Sequence, residues 1–408
     1  MSKNKKSILF DFISLQDEFL NGGMLYTQKI FNEIIKKDVI IYGLYDGNIQ
    51  INSRIKNILN QENIELINIR ENNIFVMINS LNINTLFIGI AQRFNQFNLC
   101  NLKCKIIIVC HDLFDLSLNY FKINKSKSIE KYSYNNKKNI KRKKINIIYI
   151  IKLIIKILFY PCVLLRRYLI NKNNVNKSDN YQNFMELIKQ DNVFIITDSE
   201  YSKYSILYFF NSPKNIIKIF YAPAIYNMNN KIETYDTKIT EILNNIKYFL
   251  LISVDRHTKN AVIFLEQWEK FCLITNYTYH CVLIGKNINI NLKNCIIFNE
   301  VNSEELAYLY KNAFAFVYAS FIEGFGYPPI EAAMYGTPSI CANVTSIPEI
   351  CGDMPIYFSP FYPEDLFKAM IKMTENREHY IKKTKNRYLE INQRQENDLN
   401  ELIDFISE

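Results

Sequence analysis

Glycine and proline are scarce in this 408-residue chain, with ten of each. That scarcity excludes collagen-like and low-complexity linker proteins, and it makes the position of each turn-maker informative. Histidine is sparser still: His111, His257, His280 and His379 lie far apart, and the nine cysteines include no CxxC pair. Zinc-site spacing is therefore absent, and an odd, scattered set of thiols argues against a disulfide framework. Free thiols in a reducing compartment are expected. The N-terminus, MSKNKKSILFDFI, has a basic start but only a short apolar run broken by Asp11, with no small-residue cleavage site after it. It is read as the first strand of a folded domain, not a secretion signal, which gives an expected cytoplasmic location.

What the chain has in abundance is hydrophobic residues, 49%, enough for packed cores and against global disorder. Its length suits two domains of roughly 150–200 residues each. Asn, Lys, Ile and Tyr recur throughout, as a biased coding composition would give. The formal charge of +9 is local: Lys122 to Lys144 holds ten basic residues and one acid, Glu130, which leaves the remainder formally neutral.

Apolar runs of strand length recur at Ser7–Ile13, Val39–Tyr45, Thr85–Ile90, Lys105–Asp112, Val193–Ser199 and Lys218–Ala224, with helical patterns between several of them. The pattern restarts at Tyr248–Val254 and continues through His280–Gly285, Cys295–Val301 and Ala315–Ser320. Apolar strands alternating with helices predict parallel sheets covered on both faces. The expected architecture is α/β, with an N-terminal Rossmann-like domain over 1–225 carrying an insertion at about 120–180. A second such domain spans 246–385, and a C-terminal helix over 386–408 returns to the first. Two such domains hold a ligand between them, at the carboxyl ends of their strands.

Three glycines and three prolines fall within FIEGFGYPPIEAAMYGTPSI, Phe321 to Ile340. The preceding AFVYAS reads as a strand, FIEGFGYPP as the loop leaving it, and PIEAAMYG as a short helix stopped at Gly336. Gly324 and Gly326 let backbone amides approach a ligand, proline suits the first helical turn, and a helix N-terminus adds positive potential. This predicts a cradle for a sugar diphosphate, with Glu331 placed to accept from ribose hydroxyls and Glu323 to hold sugar hydroxyls. The alternative is a tight turn with a helix cap.

EGFGYPPIEAAMYGTPSICANVTSIPEICGD, with Glu323 and Glu331 spaced as E-x7-E, resembles the donor-site signature of retaining GT-B glycosyltransferases, specifically glycosyltransferase family 4. The resemblance covers most of the C-terminal half and is patchier before it. It implies a GT-B fold of two Rossmann-like domains facing across a cleft. It further implies sugar transfer from a nucleoside diphosphate to an acceptor hydroxyl with retention of configuration, in cell-surface polysaccharide synthesis. By the same resemblance Lys259 in SVDRHTKN matches the family lysine at the donor phosphates. Arg256 lies three residues earlier, where the commonest pattern has Arg directly before Lys. Gly22-Gly23 matches the glycine loop of the first domain, His111-Asp112 the acceptor-side His-Asp, and Ser199 a serine at a strand end. Glu323, Lys259, Arg256 and His111 are thereby expected to be catalytic, and Gly22, Gly23, Gly324, Phe325, Gly326 and Glu331 to bind the donor. Arg and Lys can stabilise a departing diphosphate unaided. The chain contains no DxD, so no catalytic metal and no cofactor are expected. Rival readings are a nucleotide-sugar epimerase or hydrolase on the same plan, and a non-catalytic membrane-bound binding subunit.

One segment departs from that pattern. After the basic run comes INIIYIIKLIIKILFYPCVLLRRYLI, Ile145 to Ile170, whose Lys152 and Lys156 lie one helical turn apart. A membrane-spanning helix would place both lysines in the hydrocarbon at about 2.5–3.5 kcal/mol each, and Pro161 interrupts it. Burial as a core helix is the alternative to the preferred reading, a helix lying on an anionic membrane surface beside the polybasic run, with a lipid-linked or glycan acceptor as partner. No nucleic-acid module accompanies the basic run.

Overall fold

The computed structural model describes residues 5–16, 21–71, 73–94, 97–111, 186–210, 217–225, 237–288 and 290–408. The basic run at 122–144, the apolar segment at 145–170 and Asp112 lie outside the described residues. Among those described, the first half runs β1 (Lys6–Asp11), α1 (Gly22–Ile34), β2 (Val39–Tyr45), α2 (Ser53–Gln61), β3 (Glu65–Asn68), α3 (Ile74–Ser80), β4 (Thr85–Ile88), β5 (Lys105–Val109), β6 (Val193–Thr197), α4 (Glu200–Phe210) and β7 (Ile217–Ile219). The second half begins with α5 (Thr237–Ile242), β8 (Tyr248–Ile252), α6 (Ala261–Ile274), β9 (His280–Ile284), β10 (Cys295–Phe298) and α7 (Ser303–Asn312). It ends with β11 (Ala315–Tyr318), α8 (Tyr327–Met334), β12 (Ser339–Ala342), α9 (Ile347–Cys351), β13 (Ile356–Phe358) and α10 (Pro363–Ser407).

The strands form two wholly parallel sheets, ordered β3-β2-β1-β4-β5-β6-β7 and β10-β9-β8-β11-β12-β13. These are two Rossmann-like halves, the GT-B plan. In each, the strand order reverses beside the first strand, between β1 and β4 and between β8 and β11. The loops leaving those carboxyl ends diverge there and open a crevice.

The side-chain pattern of β1 shows why the sheets are buried on both faces. Ile8 and Phe10 join a cluster with Met24, Ile30, Phe31 and Ile34 of α1, while Leu9 points the other way among Leu86 and Ile88 of β4. Those α1 residues recur at the three-and-four spacing of one helical face, and Asn21 starts the helix by accepting from Met24 N at 2.9 Å. Burying an aromatic such as Phe31 contributes about 1.5–3 kcal/mol.

The second half packs in the same way, with Trp268 fully buried between Phe249 and Phe264. Helix α10 belongs to both halves. Leu366, Ala369, Met370 and Met373 pack under the second sheet, and Ile391, Leu402, Ile403 and Ile406 join the cluster of the first. A non-helical residue at Asn376 (φ −126°, ψ 22°) bends it between the two.

Three strands were not anticipated: β3, β12 and β13. Each is three or four residues long, too short to show a periodicity of two. The helix, read from the sequence over 386–408, instead continues from Pro363. Its earlier turns have Lys, Glu, Thr and Asn spread through them, which hides the apolar face that Leu366, Met370 and Met373 make.

Candidate active site

The second sheet supplies one wall of the crevice. Strand β8 ends at Ile252, and the chain turns through a short 3-10 segment, His257–Lys259, before α6. Asn260 sits at this junction in the left-handed region, φ 50°. The next strand in the sheet, β11, is tied to the same turn: Phe321 N donates to Thr258 O at 2.9 Å, and Ser320 Oγ lies 3.1 Å from the same oxygen. Lys259 and Glu323 are thereby brought together. Lys259 Nζ donates to Glu323 Oε1 at 2.6 Å and to the Tyr318 hydroxyl at 3.0 Å, and Ser320 Oγ donates to the same carboxylate oxygen at 2.5 Å. Burial, and then the Glu323 carboxylate, push the Tyr318 hydroxyl well above the ordinary tyrosine value. Both members of the ion pair are about one-sixth exposed, so the charges are held in place without being sealed from the crevice.

The loop after Glu323 is anchored through its carbonyls. Ser346 Oγ shares its one hydrogen between Glu323 O at 3.0 Å and Phe325 O at 3.2 Å, Ser199 Oγ donates to Gly324 O at 2.7 Å, and Thr345 Oγ1 accepts from Glu323 N at 3.1 Å. In a planar trans peptide the N–H points opposite its C=O, so these anchors turn the amides of Gly324, Phe325 and Gly326 away from the anchoring side chains. No acceptor among the described residues bonds to those three amides. Gly326, at φ +96°, then leads into α8, and Pro328 and Pro329 fill the first turn, where a missing N–H costs nothing. A Cβ on Gly326 would stand 2.5 Å from Ile347 Cδ1, so the position requires glycine twice over. The Phe325 ring is buried against Tyr221 of the first half, 5.5 Å between centroids, so this residue offers the crevice its backbone.

Glu331, in α8, accepts from the Tyr310 hydroxyl at 2.9 Å. Burial pushes its carboxyl up to about 7, against the opposing pull of that hydrogen bond and of Lys259. Arg256 is exposed at the start of the 3-10 turn; its backbone N–H donates to Ser253 O, while no acidic side chain among the described residues pairs with its guanidinium.

The first sheet supplies the facing wall. Gly22 and Gly23 are the first residues of α1. A Cβ on Gly22 would lie 3.6 Å from the Tyr327 ring of the second half, whereas one on Gly23 would lie 2.9 Å from Ile90 Cδ1 and 3.4 Å from the His111 ring. His111 follows β5 with both ring nitrogens committed: Nδ1 lies 2.7 Å from Asp198 Oδ2, and Nε2 lies 3.0 Å from Gly89 O. A carbonyl only accepts, so Nε2 carries a hydrogen. Asp11, at the end of β1, is buried beneath; it accepts from Ser14 N at 2.8 Å, from Ser14 Oγ and from Gly89 N at 2.9 Å, and burial still pushes it up to about 6.

Among the described residues singled out in the sequence, all but Glu331 thus lie at carboxyl ends of strands or at the helix starts that follow; Glu331 stands past the first turn of α8. What the sequence did not single out is the supporting set, Tyr318, Ser320, Tyr310, Thr345 and Ser346. Ser346 stood in the quoted SIPEICGD without a role, because a serine before a short helix gives no sign of which carbonyls it will reach.

Residues 234–393 match the family profile described as Glycosyl transferases group 1. Among curated proteins, the chain is 52% identical over 60 residues to O-antigen chain mannosyltransferase B of Escherichia coli, covering 15% of this chain and 16% of that one. It is 30% identical over 145 residues to the O-antigen chain mannosyltransferase RfbU of Salmonella typhimurium, covering 34% and 40%. The chain therefore spans less than half the length of either relative. Among solved structures, a glycosyltransferase from Rickettsia africae ESF-5 superposes with a TM-score of 0.58 over 99% of both chains at 14% identity, a likeness of fold.

Proposed function

We propose that this protein is a retaining glycosyltransferase that moves a sugar from a nucleoside-diphosphate donor to an acceptor hydroxyl in building a cell-surface polysaccharide. The observation that carries the reading is the pairing of Lys259 with Glu323 beside three backbone amides that have no acceptor among the described residues, at the point where the second sheet's strand order reverses. That combination suits a diphosphate whose negative charge grows as it leaves: Lys259, Arg256 and the amides of Gly324 to Gly326 meet it, and no reorganisation is needed at the moment of reaction. Glu323 receives hydroxyls of the sugar, and Glu331 receives those of the ribose. His111, on the opposite wall, faces the acceptor side. Matching segments in O-antigen mannosyltransferases favour mannose as the first donor sugar to try.

The acceptor is proposed to be lipid-linked. The basic run at 122–144 and the apolar segment at 145–170 would bring the protein to an anionic membrane from its cytoplasmic side. No helix among the described residues is long and apolar enough to cross a membrane.

The test is release of nucleoside diphosphate from a panel of nucleotide sugars, with and without a lipid-linked glycan. Release that requires the acceptor, giving a product whose anomeric configuration matches the donor's, supports the reading. Equal turnover without acceptor would make the protein a hydrolase or epimerase, and an inverted product would remove the retaining assignment.

A further inference from the structure

Helix α4 begins in the first half, yet the group that satisfies its first two amides comes from the second. Its opening amides, Glu200 N and Tyr201 N, donate to the two carboxylate oxygens of Glu349 at 2.8 and 3.0 Å. The third, Ser202 N, donates to Ser199 Oγ at 3.1 Å, and that same hydroxyl donates across the crevice to Gly324 O at 2.7 Å. Ser202 Oγ lies 3.4 Å from the same carbonyl. An anion at a helix start meets both unsatisfied N–H groups and the positive end of the dipole, so the arrangement is favourable in each of its parts.

Glu349 sits in α9, a five-residue helix, and α9 also holds the loop from its own side. Ser346, immediately before it, bonds the carbonyls of Glu323 and Phe325. Arg387 of α10 secures α9 by donating to the carbonyls of Glu349 and Ile350 at 3.3 and 3.0 Å. One rigid piece therefore grips the Glu323–Phe325 loop at one end and the opposite domain at the other, and α4 returns the grip through Ser199 to the carbonyl between them. The Glu349 contacts are open to solvent, whereas the Ser199 contact is buried. A solvent-open carboxylate can trade its amides for water at small cost, which suits a contact that forms and breaks as the crevice closes and opens.

We propose that Glu349 is a positioning residue acting across the crevice. By capping α4 it brings Ser199 onto Gly324 O, and so fixes the orientation of the loop amides toward the donor diphosphate. This rests on the transfer reading for its catalytic consequence, but not for the contact itself.

The experiment compares wild type with Glu349→Ala, Glu349→Asp and Ser199→Ala by hydrogen exchange, by amide chemical shifts and by steady-state kinetics. In Glu349→Ala, exchange at Glu200 and Tyr201 should quicken about tenfold, the scale of a lost helix cap. The amides of Gly324 to Gly326 have no acceptor among the described residues to lose, so their orientation is read from their amide resonances, which should shift in the same variant. Glu349→Asp, one methylene shorter, should restore neither signal. Ser199→Ala should shift the Gly324 to Gly326 resonances while the Glu200 and Tyr201 amides keep their protection. With a working donor, Glu349→Ala should lower kcat more than it raises the donor KM. Faster exchange at α4 with the loop resonances unchanged overturns the positioning role, as does an unaltered kcat. If wild type transfers no sugar from any donor, the transfer reading falls, and the Gly324 to Gly326 resonances still decide whether Glu349 sets the loop.

Discussion

At the scale of single residues, Lys259 and Glu331 carry opposite kinds of prediction. Lys259 is a fixed positive charge held by Glu323 and Tyr318. Lys259→Ala should lower kcat about 10²–10³-fold, the range for losing one preorganised group at developing charge. Circular dichroism should show the fold intact. A turnover within twofold of wild type would sink the assignment. Glu331 is a carboxyl raised from its ordinary 4.5 to about 7. Its folded form therefore takes up a proton between those values that the unfolded chain does not, so its contribution to stability falls as pH rises from 4.5 through 7. Glu331→Gln should accordingly melt higher than wild type at pH 8, by about 1–3 kcal/mol, and match it near pH 4.5. The same variant should bind the donor more weakly at pH 8, since a neutral amide is a poorer partner for two hydroxyls than a carboxylate. In wild type, donor affinity should fall as pH drops below 7; a flat profile by calorimetry would remove Glu331 from the donor site. Glu323, Glu331 and Lys259 stand out as candidates in the sequence because E-x7-E and a lysine after a strand are local spacings. Tyr310 and Tyr318, which set their environments, were not, because 28 tyrosines offer no way to pick two.

At the scale of elements, the start of α1 separates a glycine kept for packing from one kept for access. Both Gly22 and Gly23 have helical geometry, so backbone strain distinguishes neither. A methyl on Gly22 meets only ordinary contact with Tyr327 at 3.6 Å, while one on Gly23 must displace Ile90, at 2.9 Å. Gly22→Ala should leave the melting midpoint unchanged or higher, since alanine favours a helix by up to about 1 kcal/mol. Gly23→Ala should cost about 1–3 kcal/mol by overpacking. If Gly22→Ala nonetheless impairs transfer, the space in front of Tyr327 is used by a ligand. Equal loss of stability in both variants would contradict the geometry. The sequence marked the glycine pair but not this difference, which depends on Ile90 and Tyr327, residues distant in the chain. Strands were legible where apolar runs reached five residues or more. They were missed at β3, β12 and β13, where neighbouring strands, and not local pattern, impose the conformation.

At the scale of the whole molecule, α10 links the two halves. Beyond its bend at Asn376, Ile391, Leu402, Ile403 and Ile406 bury themselves in the core of the first sheet. Asp398 accepts from Tyr221 N at 2.7 Å, and Gln395 donates to Ala222 O at 2.5 Å, which holds the segment leaving β7. Lys37 pairs with Asp404 at 2.7 Å across the surface, but an exposed pair of this kind adds little. The apolar contacts decide the matter. Four such side chains at about 1.5–3 kcal/mol each sum to much of the 5–15 kcal/mol that a domain has in total. Leu402→Ala, a single fully buried truncation, should therefore cost about 2–5 kcal/mol, while Asp404→Ala should cost under about 1 kcal/mol. Deleting 386–408 should destabilise the first sheet selectively. Limited proteolysis should cut within 5–225 while fragments from 237–385 persist, because Leu366, Met370 and Met373 still cover the second sheet. Uniform protection of both halves in the truncated chain would mean that the helix merely rests on the first sheet and does not complete its core.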